Sequence, residues 1–210
     1  MRLYDKYIGD DVPWVLRRAS HSLTTEGVAI LLGGLSKHEE YINKVVQAPA
    51  DQSAKFAAEA RRYLRAEKLI FSRWTQVMLH FERSMYNNPD QDLNKLWWNL
   101  VEKYQLLRRP EGRDAPDFAS KIHVVSAPAY YHNYMMGELF ACQVHAAIVR
   151  DLGLRGQPRD AVYTRDPEVG RFMNEKVFGP GRLLPWNELT RHATGAELNA
   201  QAFAAEFQTE

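Results

Sequence analysis

The feature that most constrains the fold is a long stretch of helically spaced apolar residues. Between Asp51 and Tyr86, aromatic and aliphatic side chains recur every three or four residues, as on one face of an α-helix. Similar spacing follows from Leu93 to Tyr104 and from Ala129 to Leu152. Almost no segment alternates apolar and polar residues in the way that a half-buried β-strand does. The sequence therefore predicts an all-α protein.

The chain reads as a single helical region over residues 1–210, in which three segments are distinguished. Residues 1–50 carry a short apolar helix rich in small residues, and residues 51–128 carry two long helices and a charged loop. Residues 129–210 begin with a tyrosine-containing helix and end with shorter helices. We expect these segments to share one helical architecture, with no repeat or low-complexity tract between them.

The small-residue helix of the first segment has a predicted start, end and packing mode. Ser22 or Thr24 is expected to cap it, and the helix is expected to run through Leu35. Its glycines lack a Cβ atom, which allows another backbone to come close. We therefore expect close backbone contact along this helix, with the glycines at positions 27, 33 and 34.

Charge and composition argue against two classes of partner. The formal net charge is +1, so the balance of charges gives no reason to expect nucleic acid or an anionic membrane surface. The longest apolar run, from Gly27 to Leu35, is too short to cross a bilayer. Cys142 is the single cysteine, which is compatible with a reducing compartment such as the cytoplasm but does not identify one.

The segment from 121 to 134, KIHVVSAPAYYHNY, concentrates polar aromatic residues. Tyr131 and Tyr134 are three residues apart and would share a helix face, while Lys121 and His123 alternate along a predicted extended lead-in. Such side chains offer several hydrogen-bond donors for a carbonyl oxygen or a carboxylate. The alternative is that the tyrosine rings pack in the core with their hydroxyl groups at its rim.

Two further places hold candidate site residues. Glu26 lies in an otherwise uncharged helix start, where its carboxylate needs a partner, a metal ion or solvent. It could also be an exposed first-turn glutamate favoured by the helix dipole. Phe71 and Trp74 are three residues apart and would form either core or the wall of an apolar pocket. The sequence contains no HExxH zinc motif, glycine-rich phosphate loop or CxxC pair.

In their order along the chain, four segments resemble the angiotensin-converting-enzyme-like family of zinc peptidyl-dipeptidases, and more closely its bacterial relatives. The segments are TTEGVAILLGGLSKHEEYI, EKLIFSRW, DLNKLWWNLVEKYQLL and KIHVVSAPAYYHNY. The resemblance extends through nearly the whole chain, and the combination of WW…KYQ with KxH…YxxY is specific. It implies the C-terminal helical lobe of a zincin-type metallopeptidase that hydrolyses peptides near their C-termini with zinc as cofactor.

The resemblance also implies roles for the residues that carry chemistry. Glu26 matches a glutamate that binds the zinc ion. His123 matches a histidine that hydrogen-bonds the substrate backbone, and Tyr134 matches a tyrosine that stabilises the oxyanion of the tetrahedral intermediate. His132 and Asn133 stand where the animal enzymes carry a chloride-binding arginine, so chloride activation is not expected.

A second group of residues matches the substrate pocket of the family. Lys121 and Tyr131 match groups that hold the C-terminal carboxylate of the substrate. The interval from His123 is one residue longer than in the animal enzymes, so Tyr130 remains an alternative to Tyr131. Phe71 and Trp74 match the pocket wall.

The family's HExxH helix would end where this chain begins, with Leu3 to Ile8 as its continuation. We therefore expect a fragment that lacks both zinc histidines and the general-base glutamate, is inactive alone, and has the N-terminal half of the same protein as a partner beside the peptide substrate. The alternative is a non-catalytic helical module that binds peptides or another chain. The compartment stays unknown.

Overall fold

The computed structural model describes residues 2–155 and 161–208, and the prediction of an all-α fold is confirmed. No strand occurs among the described residues, and none of their helices is both long and apolar enough to cross a bilayer. In chain order the helices are α1 Arg2–Lys6, α2 Ser22–Leu35, α3 Glu39–Tyr41, α4 Ala50–Asn87, α5 Leu93–Gln105, α6 Ile122–Val125, α7 His132–Asp151, α8 Pro167–Met173, α9 Trp186–Thr194 and α10 Gln201–Ala205. Single π-turns continue α3 over Ile42–Val46 and α8 over Asn174–Phe178.

Capping residues define where α5 and α2 begin. The Asp92 carboxylate accepts a hydrogen bond from the Lys95 amide at 2.9 Å and starts α5. For α2 the predicted cap is wrong, because the N-cap is His21. Its Nδ1 accepts from the Leu23 amide at 3.2 Å, and Thr24 Oγ1 accepts from the His21 amide at 3.3 Å. An imidazole nitrogen thus does what a serine or aspartate oxygen usually does at this position.

The chain forms two compact units. We call residues 1–63 and 136–210 the discontinuous unit, and residues 64–135 the continuous unit. Helices α4 and α7 are each divided between the two units.

The discontinuous unit is closed by contacts between distant parts of the chain. The buried Tyr4 hydroxyl donates to the Val177 carbonyl oxygen at 2.7 Å, and the Gly9 amide donates to the Gly179 carbonyl oxygen at 3.0 Å. Burial raises the pKa of Tyr4 to about 12, because an ionised phenol is poorly stabilised in an apolar core. Leu23, Phe140, Val144, Ile148 and Val177 belong to the core around it.

Helices α2 and α7 pack closely at two glycines of the discontinuous unit. A Cβ atom at Gly27 would lie 2.7 Å from Phe140 Cδ1 and 2.9 Å from the Gly137 carbonyl oxygen. The predicted close approach is therefore confirmed at Gly27. It is wrong for Gly33 and Gly34, where a Cβ atom would have no neighbour within 4 Å.

In the continuous unit, α4 and α5 pack through their apolar faces. Val77 and Phe81 of α4 are fully buried, and the Phe81 ring meets Trp97 of α5 edge-on at 5.2 Å between centroids. The charged loop that follows α5 is attached to the same helix, because Trp98 Nε1 donates to Asp117 at 3.1 Å. Asp117 also pairs with Arg113, which lowers the pKa of its carboxyl group.

Candidate functional site

The continuous unit holds all the predicted site residues except Glu26. We call this group the Trp74 cluster, because Trp74 contacts members from both halves of the 121–134 segment. Its members are Phe71, Trp74, Lys121, His123, Tyr131 and Tyr134.

The Trp74 indole binds one donor on its face and one acceptor at its edge. Lys121 Nζ lies 5.2 Å from the indole centroid, which is a cation–π distance. Trp74 Nε1 donates a hydrogen bond to the Tyr131 hydroxyl oxygen at 2.7 Å. On the core side, Trp74 meets Trp97 edge-on at 5.7 Å between centroids. Trp74 is thus both a core residue and the support for two candidate ligand-binding groups.

The Tyr131 hydroxyl has an available hydrogen despite its burial. Tyr131 is 8 % exposed, and in the one hydrogen bond of its side chain within the described part of the chain the hydroxyl oxygen accepts from Trp74. Its own O–H is therefore able to donate to a ligand. Burial raises the pKa of Tyr131, opposed in part by the hydrogen bond from Trp74, so the phenol keeps its proton at neutral pH.

His123 and Tyr134 form the second polar pair of the cluster. His123 Nε2 lies 3.1 Å from the Tyr134 hydroxyl, and the rings are nearly perpendicular. The direction of this bond depends on the histidine tautomer. If Nε2 carries the hydrogen, His123 donates and the Tyr134 hydroxyl hydrogen can turn to another acceptor.

The local backbone around His123 differs from the prediction. Lys121 is extended, as expected, but it is the N-cap of the short helix α6, so His123 is helical and the predicted extended lead-in is wrong beyond Lys121. The Tyr130 ring stacks on His123 at 6.2 Å between centroids and meets Tyr134 edge-on at 5.5 Å. Tyr130 and Tyr131 therefore both border the same pair, and either remains a candidate for the substrate carboxylate.

Phe71 lies against the tyrosine rings. Its centroid is 6.3 Å from that of Tyr131 and 6.1 Å from that of Tyr134, and the two tyrosine rings are 5.0 Å apart. An aromatic wall of this kind excludes water from one side of the hydroxyl groups, which strengthens their hydrogen bonds to a ligand. Phe71 and Trp74 thus pack against the core and also face the polar groups.

Sequence reasoning missed the residues that hold the tyrosine segment in place. The Asn133 amide and side-chain Nδ2 both donate to the Tyr130 carbonyl oxygen at 2.9 Å. The Glu82 carboxylate accepts from the Ala129 amide at 2.7 Å. Glu82 follows Phe81 and lies on the apolar face of α4. Its position in the helical repeat could therefore have predicted a buried carboxylate.

Glu26 is placed in the discontinuous unit, in the second turn of α2. It is partly buried rather than an exposed first-turn residue. Its Cβ atom is close to α7, since a Cβ atom at Gly137 would meet it at 3.0 Å.

Within residues 2–155 and 161–208, no group of three or more His, Cys, Asp or Glu side chains is placed to hold a metal ion. A catalytic zinc site uses three protein ligands. The donor set of the described residues does not, by itself, compose such a site.

Comparison with known proteins finds one family and several curated relatives. The peptidase family described as angiotensin-converting enzyme matches residues 72–209. The mouse angiotensin-converting enzyme-like protein Ace3 is 25% identical over 68% of this chain and 20% of its own length. The rat angiotensin-converting enzyme is 27% identical over 57% of this chain and 9% of its own length, and the golden hamster enzyme (Mesocricetus auratus) is 31% identical over 50% and 8%. The chain thus spans a fifth or less of these relatives, and the matched range contains the Trp74 cluster apart from Phe71.

Proposed function

The chain belongs to the angiotensin-converting enzyme family of peptidases, and from this premise we propose that it serves a zinc-dependent peptidase that releases dipeptides or single residues from peptide C-termini. The observation that carries the proposal is the convergence of Lys121 and Tyr131 on the Trp74 indole. One supplies a positive charge and the other an available O–H, which are the two groups that a carboxylate binds best.

In this proposal the Trp74 cluster binds the C-terminal end of the peptide. The carboxylate accepts from Lys121 Nζ and from the Tyr131 hydroxyl. Phe71 and Trp74 contact the apolar part of the last side chain, because both present ring surface beside the hydroxyl groups. The neutral state of Tyr131 at physiological pH suits a donor to an anion.

His123 and Tyr134 act on the peptide backbone in the same proposal. His123 hydrogen-bonds the substrate backbone, and Tyr134 donates to the oxyanion of the tetrahedral intermediate. Zinc, when bound, would polarise the scissile carbonyl and activate water. Glu26 is the one residue to which the family resemblance gives a ligand role. We therefore expect the 210-residue chain alone to bind zinc weakly and to leave peptides intact.

The test of carboxylate recognition compares a peptide with a free C-terminus and the same peptide amidated, by isothermal titration calorimetry. We expect the amide to bind about tenfold or more weakly, because a hydrogen bond to a charged group contributes about 1.5–3 kcal/mol. Lys121→Met and Tyr131→Phe should each reduce that difference, since each removes one of the two donors. Lys103→Met is the matched control, since Lys103 Nζ lies 5.1 Å from the Tyr104 ring outside the cluster. Equal binding of acid and amide by the unmodified chain would refute the proposal.

Zinc content and turnover are measured in the same preparation. Stoichiometric, tightly bound zinc, or peptide cleavage that a chelator abolishes, would contradict the expected inactivity of the chain alone. Either result would also mean that the described residues take another arrangement when zinc is present.

A further inference from the structure

Glu82 is a buried carboxylate with a specific backbone partner. It lies on α4 beside the fully buried Phe81 and is 5 % exposed. Its Oε1 accepts from the Ala129 amide at 2.7 Å, and no ion pair of Glu82 occurs among the described residues. A carboxylate in an apolar core lowers stability unless it is hydrogen-bonded, so a buried glutamate at this position needs a local reason.

Ala129 has a backbone conformation that alanine rarely adopts. Its φ is +52°, in the left-handed region that disfavours any residue with a Cβ atom. Gln47 and Leu106 also have positive φ, but they stand at the C-terminal ends of helices, where this conformation is common. Arg165, directly before the N-cap of α8, has a φ of +62°. Ala129 instead precedes α7 and is exposed, so the packing of its methyl group does not explain its conformation.

The conformation of Ala129 sets the direction in which the tyrosine segment leaves the loop. Tyr130 follows directly, and its carbonyl oxygen is then fixed by the two hydrogen bonds from Asn133. Tyr131 and Tyr134 come from the turn that these bonds define. A change of φ at position 129 would rotate this turn and shift both hydroxyl groups relative to Trp74 and His123.

We propose that Glu82 is a positioning residue of the Trp74 cluster: its carboxylate holds Ala129 in the left-handed conformation and thereby fixes where Tyr131 and Tyr134 place their hydroxyl groups. Its consequence for peptide binding rests on the proposed function. Its consequence for the geometry of the cluster does not, and can be measured without any peptide.

The geometric arm of the test uses the indole N–H of Trp74 as a reporter of the bond to Tyr131. The ¹H–¹⁵N signal is assigned by its absence in Trp74→Phe. We expect Glu82→Ala to shift this signal strongly, and Glu82→Gln to shift it less because the amide oxygen can still accept. Glu102→Ala, at an exposed position of α5, is the control and leaves the signal in place. A folded Glu82→Ala chain with an unchanged Trp74 signal overturns the inference.

The rescue arm separates positioning from a general role in stability. Glycine adopts positive φ without strain, so Ala129→Gly in the Glu82→Ala background should return the Trp74 signal toward that of the unmodified chain. If Glu82 only stabilised the fold, the glycine would leave the Trp74 signal where Glu82→Ala had placed it. That outcome also overturns the inference.

A second pair of variants tests the conformation if Glu82→Ala does not fold. Ala129→Asn should keep the Trp74 signal, because asparagine tolerates the left-handed region. Ala129→Val should displace it, because a β-branched residue does not tolerate that region. Equal signals in these two variants would refute the inference.

The binding arm follows the calorimetric comparison of free and amidated peptides. The free energy of backbone strain such as that at Ala129 corresponds to about a tenfold change in binding affinity. Glu82→Ala and Ala129→Val should therefore each weaken binding of the free acid about tenfold. If the unmodified chain shows no preference for the free acid, the proposed function fails and the spectroscopic arms still test the positioning.

Discussion

His145 and Tyr163 in the discontinuous unit form the same kind of pair as His123 and Tyr134 in the continuous unit. The distance from His145 Nδ1 to the Tyr163 hydroxyl is 2.7 Å, and the distance from His123 Nε2 to the Tyr134 hydroxyl is 3.1 Å. Tyr163 is 6 % exposed and burial raises its pKa strongly, whereas Tyr134 is partly exposed. A histidine–tyrosine hydrogen bond is therefore no sign of a site by itself.

The pair of His123 and Tyr134 differs from the other pair in the residues that surround it. Lys121 and Tyr131 bring a charge and an available hydroxyl hydrogen to the same aromatic group, and Phe71 borders Tyr131. In the discontinuous unit the buried Tyr4 hydroxyl donates to a backbone carbonyl instead. A tyrosine that can bind a ligand therefore has a hydroxyl hydrogen that no protein acceptor uses. A structural tyrosine already donates its hydroxyl hydrogen to an acceptor within the protein.

The largest expected effect concerns the buried Tyr4. Its pKa is raised from 10.0 to about 12 in the folded chain, so the unfolded chain loses this proton first. Stability that is present below pH 10 should fall as the pH rises to about 12, by up to about 2–3 kcal/mol from this residue. Urea unfolding between pH 9 and pH 12 measures the loss. Tyr4→Phe should make the curve less steep but not flat, because burial also raises the pKa of Tyr163. Tyr7→Phe, at an exposed position, is the control, and equal curves for both variants would contradict the prediction.

The next effect concerns the close contact of α2 and α7. Gly27→Ala should lower the free energy of unfolding by about 1–3 kcal/mol, because the new methyl group meets a backbone oxygen and the Phe140 ring. Gly33→Ala in the same helix should instead raise it by about 0.5–1 kcal/mol, since that position is open and alanine favours the helix. Thermal or chemical denaturation distinguishes the two, and equal effects would show that the discontinuous unit is less tightly packed than its contacts imply.

The smallest effect on stability tests the two histidine–tyrosine pairs directly. Tyr163→Phe should cost about 1 kcal/mol, because a buried hydrogen bond is lost, and should leave peptide affinity unchanged. Tyr134→Phe should change stability by less than about 0.5 kcal/mol, since it is partly exposed. In a preparation that turns over, its consequence should be a lower kcat with little change in KM, because the hydroxyl stabilises the oxyanion of the transition state. Reversal of these two patterns would break the comparison.

The sequence predicted the helices with long periodic faces closely. The periodic stretch from Asp51 to Tyr86 became Ala50–Asn87, and the one from Leu93 became Leu93–Gln105, because burial of one face decides both. Local signals were less informative. His21 is an uncommon cap, and Gly27 and Gly33 look alike in sequence although only Gly27 meets a second backbone.

For the site, the residue types could be predicted and their contacts could not. The bond between Trp74 and Tyr131 joins residues that are 57 positions apart, and the one between Glu82 and Ala129 joins residues 47 positions apart. Neither follows from helical spacing, since both depend on how separate helices pack. The roles of the cluster residues and of Glu26 stay predictions.

The division of the chain also bears on the order in which it folds. All residues of the continuous unit have left the ribosome once Met135 has emerged from it. The hydroxyl of Tyr4 can bond to its acceptor only after Val177, 173 positions later, has been synthesised. Contacts between near neighbours form before those that close long loops. During synthesis the helices of residues 64–135 can therefore assemble first, while apolar side chains such as those of Tyr4, Leu23 and Val28 remain uncovered until the later part of their core has been made.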